Sequence, residues 1–328
     1  MILAGDIGGT KTNLGLFEVE GGALRPHQQQ SFPSGSYDGV ETVVQEFLSA
    51  AGATVTAAAF GVAGPVVDGR SETPNLAWDV DARRLARCLN LEAVALLNDL
   101  EATGHGIAEL KPSEMITLNE GEYIPGNAAL LAAGTGLGVA SLFWDGRELA
   151  PSASEGGHVD FAPRNELEMD LLRHMLTRHQ RVSVERIVSG PGIFQIYEFL
   201  RVSGHGKEKP EVAEKMKSED PSAVIANTAL AGGCELCVKA LDMFVSLYGA
   251  AAGNVALLLK STAGVYVGGG IAPKIIEKLK DGTFMKAFTS KGRLSPLLEN
   301  MPVRIIMNDK TALLGAARVA ARATGREA

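Results

Sequence analysis

Ala93-Val94-Ala95-Leu96-Leu97-Asn98-Asp99-Leu100 is a short apolar run that stops at one amide and one carboxylate. A run of that length, ended abruptly by polar side chains, reads as a parallel strand buried on both faces. Open α/β sheets bind their ligands beyond the carboxyl ends of such strands, so Asn98 and Asp99 fall where chemistry is expected. Two readings of Asp99 stand together. It is a favoured helix N-cap, with Glu101 and Ala102 able to begin a turn, or it is a catalytic base.

The start of the chain supplies a second element of the same kind. Ile2-Leu3-Ala4-Gly5-Asp6-Ile7 leads into Gly8-Gly9-Thr10-Lys11-Thr12 and then into the alternation of Asn13-Leu14-Gly15-Leu16-Phe17, a strand, a glycine turn and a strand. Gly8 and Gly9 let backbone N–H groups approach an anion closely, and Thr10 and Thr12 bring hydroxyl donors suited to phosphate oxygens. Asp6, just ahead of the turn, suits Mg2+, directly or through water. A plain glycine hairpin with a solvated Asp is the competing reading. A Walker A loop fits poorly, because Thr10 stands where a glycine must precede the lysine and a strand follows where a helix is needed.

Residues 39–51 carry Val40, Val43, Val44, Phe47 and Leu48 at helical spacing and serve as scaffold. Residues 56–62 read as another strand, after which Gly64 is either turn chemistry or a substrate contact. Asn75 and Trp78 in Asn75-Leu76-Ala77-Trp78 either line a pocket or pack beneath their loop.

Downstream, the opening pattern returns. Leu130-Leu131-Ala132-Ala133 leads into Gly134-Thr135-Gly136-Leu137-Gly138 and a second apolar run through Phe143, which suggests an internal duplication. Two such turns can cradle a polyphosphate from both sides, and only the first has an acid placed to serve a metal. Glu155 and His158, in Ser154-Glu155-Gly156-Gly157-His158, offer acceptors and a donor suited to sugar hydroxyls, and the spacing excludes an HExxH zinc site. A structural histidine is the alternative. Glu185, ahead of Ser189-Gly190-Pro191-Gly192, either receives a hydroxyl or pairs with Arg186 on a surface.

The mixed charges of residues 204–222 read as a solvated stretch. Cys234 and Cys237 have CxxC spacing but helical flanks and no second pair, against a redox or metal role. Residues 241–259 read as a long helix buried against a sheet. Ala263-Gly264-Val265-Tyr266-Val267 is a further strand, and Gly268-Gly269-Gly270 after it lets a flat nucleoside lie on the backbone, with Pro273 at the first turn of a helix. Pro302-Val303-Arg304-Ile305-Ile306 reads as a late strand, and Thr311–Ala323 as an alanine-rich helix returning to the first domain.

A chain of 328 residues, 46% of them apolar, is long enough for two domains with substantial cores. The formal net charge of −7 creates no general attraction for nucleic acid or anionic membrane, so a small molecule is the expected partner. No N-terminal signal pattern is visible and no apolar run is expected to reach membrane-spanning length, which points to the cytoplasm. Three cysteines cannot form a disulfide framework, and reduced thiols are expected.

Taken in order, Gly5-Asp6-Ile7-Gly8-Gly9-Thr10, Asn98-Asp99, Gly134-Thr135-Gly136-Leu137-Gly138, Glu155-Gly156-Gly157-His158-Val159-Asp160-Phe161, Glu185-Arg186 through Ser189-Gly190-Pro191-Gly192, and Gly268-Gly269-Gly270-Ile271 span nearly the whole chain. The set resembles the bacterial glucokinase family, within the sugar kinase, actin and Hsp70 superfamily of two-domain ATPases. The resemblance implies an α/β chain of two ribonuclease H-like domains with a cleft between them, the small one formed by residues 1–109 with 309–328 and the large one by 110–308. It implies ATP and Mg2+, with glucose held by Asn98, Asp99, Glu155, His158 and Glu185, nucleotide contacts from Asp6, Gly8, Gly9, Thr10, Gly134, Thr135, Gly136, Gly138, Gly269 and Gly270, and a homodimer. The chain departs from the family pattern at Lys11-Thr12, where many relatives carry Asn-Ala, and at Leu76-Ala77, where His-Thr is usual. A related family of sugar kinases and repressors carries a cysteine-rich zinc site after its sugar-binding His, whereas no cysteine stands here between Cys88 and Cys234.

The expected chemistry is attack of the glucose 6-hydroxyl on the γ-phosphate of ATP, with Asp99 taking the proton. Kinases for mannose or an N-acetylated hexosamine share these features, and a non-catalytic sugar or nucleotide sensor is the rival from another class.

Overall fold

The computed structural model describes residues 1–73, 76 and 78–325, so Asn75 of the loop above lies outside the described residues. The chain forms two compact units. The first gathers Met1–Glu114, Leu149–Ala153 and the chain from Asn308 on; the second gathers Met115–Glu148 and Ser154–Met307. The first unit thus runs five residues past the expected boundary at 109 and takes in a short later segment. One physical reason lies at Glu114, whose carboxylate accepts from Asn308 Nδ2 at 2.6 Å and from the Lys111 N–H at 2.8 Å, tying residues 111–114 to the start of the C-terminal segment.

In the first unit, strands β1 (Ile2–Ile7), β2 (Lys11–Glu20), β3 (Ala23–Pro33), β4 (Ala57–Val62) and, after a short β5/β6 ribbon (Arg70–Glu72, Asp79–Asp81), β7 (Ala95–Asn98) form a sheet of order β3-β2-β1-β4-β7. β1, β4 and β7 run parallel, and β2 and β3 are antiparallel to their neighbours. Period-two alternation assigns the two faces. Leu3, Ala58, Phe60 and Val62 pack under helices α1 (Val40–Ala51) and α2 (Ala82–Leu89), while Ile2, Ala4, Ala57 and Ala59 pack under the C-terminal helix Thr311–Ala323. The residues facing that last helix are mostly alanine on both sides, so it lies close to the sheet. Trp78 belongs to the first of these cores, and its indole N–H donates to the Tyr37 carbonyl at 3.0 Å. It is a core residue.

A second sheet, formed by β8 (Met115–Asn119), β9 (Ala128–Ala133), β10 (Leu137–Trp144), β11 (Leu149–Ser154), β12 (Gly264–Gly268) and β13 (Val303–Ile306), has the order β11-β10-β9-β12-β13-β8, and all of its strands but β11 belong to the second unit. β9, β12 and β13 are parallel, and β10 is antiparallel to β9. The run β10-β9-β12-β13 therefore repeats β2-β1-β4-β7, and in both a glycine turn joins the antiparallel pair. The duplication suggested by the sequence is a duplication of topology.

Helix Glu235–Leu259 is 25 residues long and apolar enough, by length and composition, to cross a bilayer, contrary to the expectation that no segment reaches that length. In this fold it is the central core helix of the second unit, with Leu236, Leu241, Phe244, Leu247 and Tyr248 buried. Gly249 and Gly253 let the backbone of helix Thr283–Thr289 approach it directly, because a Cβ at either would strike a phenylalanine carbonyl. Cys234 and Cys237 are buried there as well, and burial pushes the Cys237 thiol up to about 12, which makes it inert at neutral pH.

Candidate active site

The carboxyl ends of β1, β4 and β7 come into register, Ile7 beside Val62 and Val62 beside Asn98. Helix α3 (Asp99–Gly106) starts at once from β7. Its N-cap is Asn98, whose Oδ1 accepts the Leu100 N–H at 2.9 Å and whose amide donates to the Gly64 carbonyl at 2.9 Å. The capping role that the sequence offered to Asp99 therefore falls to its neighbour. Asp99 is the first helical residue, its Oδ1 accepting the Leu100 N–H at 2.9 Å. Gly61 makes this close junction possible, because a Cβ there would sit 2.8 Å from Ala102 Cβ of α3. Gly64 acts as an internal anchor for Asn98.

Burial raises the Asp99 carboxyl to about 6, the Leu100 N–H opposes that shift, and the nearby Asp6 carboxylate adds to it. Asp6 is raised too, first by burial and then by Asp309, while a hydrogen bond from Asn13 Nδ2 at 3.0 Å works against the rise. Asp309, at the foot of the C-terminal helix, escaped the sequence reading. Its signal was an acid two residues ahead of an alanine-rich helix. Asp6, fixed by the Asn13 amide, thus stands in the field of Asp309 and acts on Asp99, and carboxylate oxygens are the donors a hard cation prefers. Among the described residues no group of three His, Cys, Asp or Glu side chains can hold a metal alone. The arrangement suits an ion taken through one carboxylate, with water and substrate oxygens completing the shell.

The Gly8–Thr10 turn is closed from within. The Gly8 N–H donates to the Lys11 carbonyl at 2.9 Å, and Ser34 ties the outside by its N–H to the Thr10 carbonyl at 3.0 Å and its Oγ to the Gly8 carbonyl at 2.8 Å. Among the described residues no acceptor meets the N–H of Gly9 or of Thr10, so both are available to an anion. Thr12 is different. It is fully buried and its hydroxyl is 3.0 Å from Ser34 Oγ, so it braces the turn and is not a phosphate donor.

In the second unit the Gly134-Thr135-Gly136 turn is laced to two distant segments. Its Gly134 carbonyl accepts the Gly190 N–H at 2.8 Å, and the Ala133 carbonyl before it accepts the Ile271 N–H at 3.2 Å. Gly269, at φ +82°, lies on the Ala133 backbone, where a Cβ would collide. Together they wall a cavity of about 520 Å³ lined by Thr135, Gly190, Phe194, Ser222, Gly270 and Lys274, a volume that suits a nucleoside. Gly138 is not part of it. That residue lies within β10 paired with Ala132, beyond the turn. The sequence reading missed Gly190, Ser222 and Lys274 as wall residues, although Ser189 ahead of Gly-Pro-Gly was a visible helix start, and Ser189 Oγ does cap the Gly192 N–H.

A short step away, Glu185 Oε2 accepts the Leu137 N–H at 2.9 Å, and a Cβ on Gly136 would lie 2.5 Å from that oxygen. The Glu185 N–H is bonded to the Gly157 carbonyl at 2.9 Å. These ties bring Glu155, His158 and Glu185 together. His158 Nε2 is 3.8 Å from Glu155 Oε2 and 3.9 Å from Glu185 Oε1, too long for direct hydrogen bonds. Glu185 shows no ion pair with Arg186. Three polar groups thus converge without satisfying one another, an arrangement open to the hydroxyls of a ligand.

A family model described as Glucokinase matches residues 3–323. The glucokinase of Nostoc sp. (strain PCC 7120) is 43% identical over 98% of this chain and 99% of its own, and that of Synechocystis sp. (strain PCC 6803) is 39% identical over 98% of each. Among solved structures, the glucokinase from an Antarctic psychrotroph superposes with a TM-score of 0.87 at 28% identity over 98% of each chain. A ROK family glucokinase from Streptomyces griseus, solved with glucose and AMPPNP, shares the fold with a TM-score of 0.64 at 21% identity, over 98% of this chain and 99% of its own.

Proposed function

The chain belongs to the glucokinase family, and from that premise we propose that it phosphorylates the 6-hydroxyl of glucose with ATP, Asp99 acting as general base. The observation that carries this reading is Asp99 itself, a carboxylate at a parallel strand end whose burial keeps it basic enough to take a hydroxyl proton near neutral pH. Asn98 has a second amide hydrogen left for the sugar. Glu155, His158 and Glu185 supply the remaining hydroxyl contacts, and their unsatisfied geometry supports that role. The free N–H groups of Gly9 and Thr10 serve phosphate oxygens, and the cavity beside Thr135 and Gly270 takes the nucleoside. Asp6 would hold Mg2+ through water, and the ion would supply charge neutralisation for the phosphoryl oxygens. Positioning and electrostatics carry most of the rate in such a transfer. A homodimer in the cytoplasm completes the proposal on the strength of the family resemblance.

The deciding measurement is ADP production from ATP and Mg2+ across a hexose panel. Turnover with glucose above mannose and N-acetylglucosamine is the expected result. Preference for either of the others would reassign the substrate, and sugar binding without turnover would indicate a sensor.

Two further results follow from the geometry. The base must be ionised to work, so kcat/KM for glucose is expected to fall about tenfold per pH unit below about pH 6 and to level off above it. A rate profile flat through that range would remove Asp99 from the role. Gly136→Ala is expected to push the Glu185 carboxylate off the Leu137 N–H and to raise KM for glucose about 10- to 100-fold, the scale of a lost hydrogen bond to a charged group, with a smaller effect on KM for ATP. Steady-state kinetics with each substrate varied in turn would separate the two.

A further inference from the structure

Beside the Glu185 side chain lies a second cavity of about 480 Å³, lined by His158, Arg178, His179, Arg181, Glu185 and Arg186 among others. Its wall carries three arginines and one acid, and two of the arginines are paired with carboxylates outside it. Arg178 Nη1 donates to Glu198 Oε2 at 2.8 Å, and Arg181 Nη1 donates to Asp160 Oδ1 at 2.9 Å and to the His158 carbonyl at 2.6 Å. Arg186 has no carboxylate partner among the described residues, and the one acid in the wall, Glu185, is already engaged at Oε2 by the Leu137 N–H. His179 lines the same wall as Arg178 and Arg186, and burial and then those two cations hold it below the usual imidazole range.

The ribbon that carries these side chains is fixed. The Arg178 and His179 N–H groups bond to the Met175 carbonyl at 3.1 and 3.0 Å, and the Val184 N–H bonds to the Val159 carbonyl at 2.9 Å. A guanidinium group carried on a fixed ribbon beside a hollow matches the oxygens of phosphate in paired, charge-assisted bonds. Arg186 is the one whose charge is left for a ligand, with the paired Arg178 and Arg181 beside it.

We propose that this cavity binds a phosphate group, either as inorganic phosphate or as the phosphate of a phosphorylated hexose, and that occupancy opposes sugar binding through the shared His158 and Glu185. The binding half stands on the arginine cluster alone; the coupling half rests on the sugar contacts proposed above.

The test uses the whole protein saturated with AMPPNP, so that the glycine turns are filled, and titrates it calorimetrically with inorganic phosphate and, separately, with glucose 6-phosphate. Wild type is expected to bind at least one of them, Arg186→Gln to bind it at least tenfold more weakly, and Arg186→Lys to fall between, since lysine keeps the charge without the planar fork. Turnover at low phosphate reports that each variant is folded. Inorganic phosphate alone binding identifies a free-anion site; tighter binding of glucose 6-phosphate identifies the ester. No binding by the saturated wild type, or equal binding by Arg186→Gln and wild type, overturns the site. In parallel, added phosphate is expected to raise KM for glucose in wild type and not in Arg186→Gln. Arginine-dependent binding with no change in that KM would overturn the coupling and leave the anion site standing.

Discussion

Asp99→Asn is expected to cut turnover by about 10²-fold or more, the scale on which a positioned general base acts, while glucose affinity stays within a few-fold. Asparagine keeps the size of the side chain and can still accept the Leu100 N–H through Oδ1, so the helix start survives. It cannot take the hydroxyl proton. The same substitution is expected to make the protein more stable. The folded carboxyl sits near 6 against 3.8 in the unfolded chain, so the folded state binds the proton more tightly and ionisation works against folding. That penalty is absent below about pH 4 and grows as pH rises through about 6. A shift of roughly two units corresponds to about 2 to 3 kcal/mol, or several degrees in Tm. Calorimetry at about pH 8 should show the variant melting above wild type, and at about pH 4 the two should coincide. Near-normal turnover would sink the assignment of the base, and equal melting at both pH values would sink the account of its burial.

Gly315→Ala is expected to lower both stability and turnover, through contacts made far from any substrate. In the first unit the C-terminal helix crosses α3 with glycines at the meeting point. A Cβ on Gly315 would fall on the Ala102 carbonyl and one on Gly106 would fall on the Thr311 carbonyl. Helix propensity alone favours alanine by about 1 kcal/mol. Backbone atoms cannot turn aside as a side chain can, so the helices must part, and overpacking of this kind costs about 1 to 3 kcal/mol or more. The clash should win. The partly buried pair of Arg318 with Glu109 holds the same two segments together and resists the adjustment. Because α3 begins with Asp99, a shift of about 1 Å at its first turn can cost on the order of 10²-fold in rate. Gly35→Ala, where an added Cβ meets nothing within 4 Å, is the matched control. A Tm for Gly315→Ala at or above that of the control would show that the crossing yields.

What could be read from the sequence was whatever local pattern encodes. Periodicity gave the strands, and the two glycine turns gave the repeat that sheet order bears out. Asp6 and Asp99 were legible because each stands at the end of an apolar run, which fixes its place at the edge of a parallel sheet. What escaped depends on residues brought together from far apart. Thr12 looked like a phosphate donor until Ser34, 22 positions later, claimed its hydroxyl. Asn98 and Asp99 are both good capping residues, and only the reach of Asn98 to Gly64 separates their roles. The crossing at Gly106 and Gly315 joins positions some 200 residues apart, and neither glycine has local context that announces it. Long helix Glu235–Leu259 shows the converse: its composition fits a bilayer, and only its neighbours reveal a protein core.

The first unit is closed by a helix made long after its sheet. Its strands β1, β2 and β4 turn an alanine-rich face toward a helix that begins at Thr311, about 200 residues after the bulk of that unit ends at Glu114. At translation rates of about 5 to 20 residues per second, this face waits on the order of 10 to 40 s on the ribosome for its cover. The second unit's sheet is itself complete only with β13, a few residues ahead of that helix, so both units close at nearly the same moment. The amino-terminal unit, begun first, gains no lead from its position, and a chain released before Thr311 carries an open sheet that invites capture by chaperones or by its own kind.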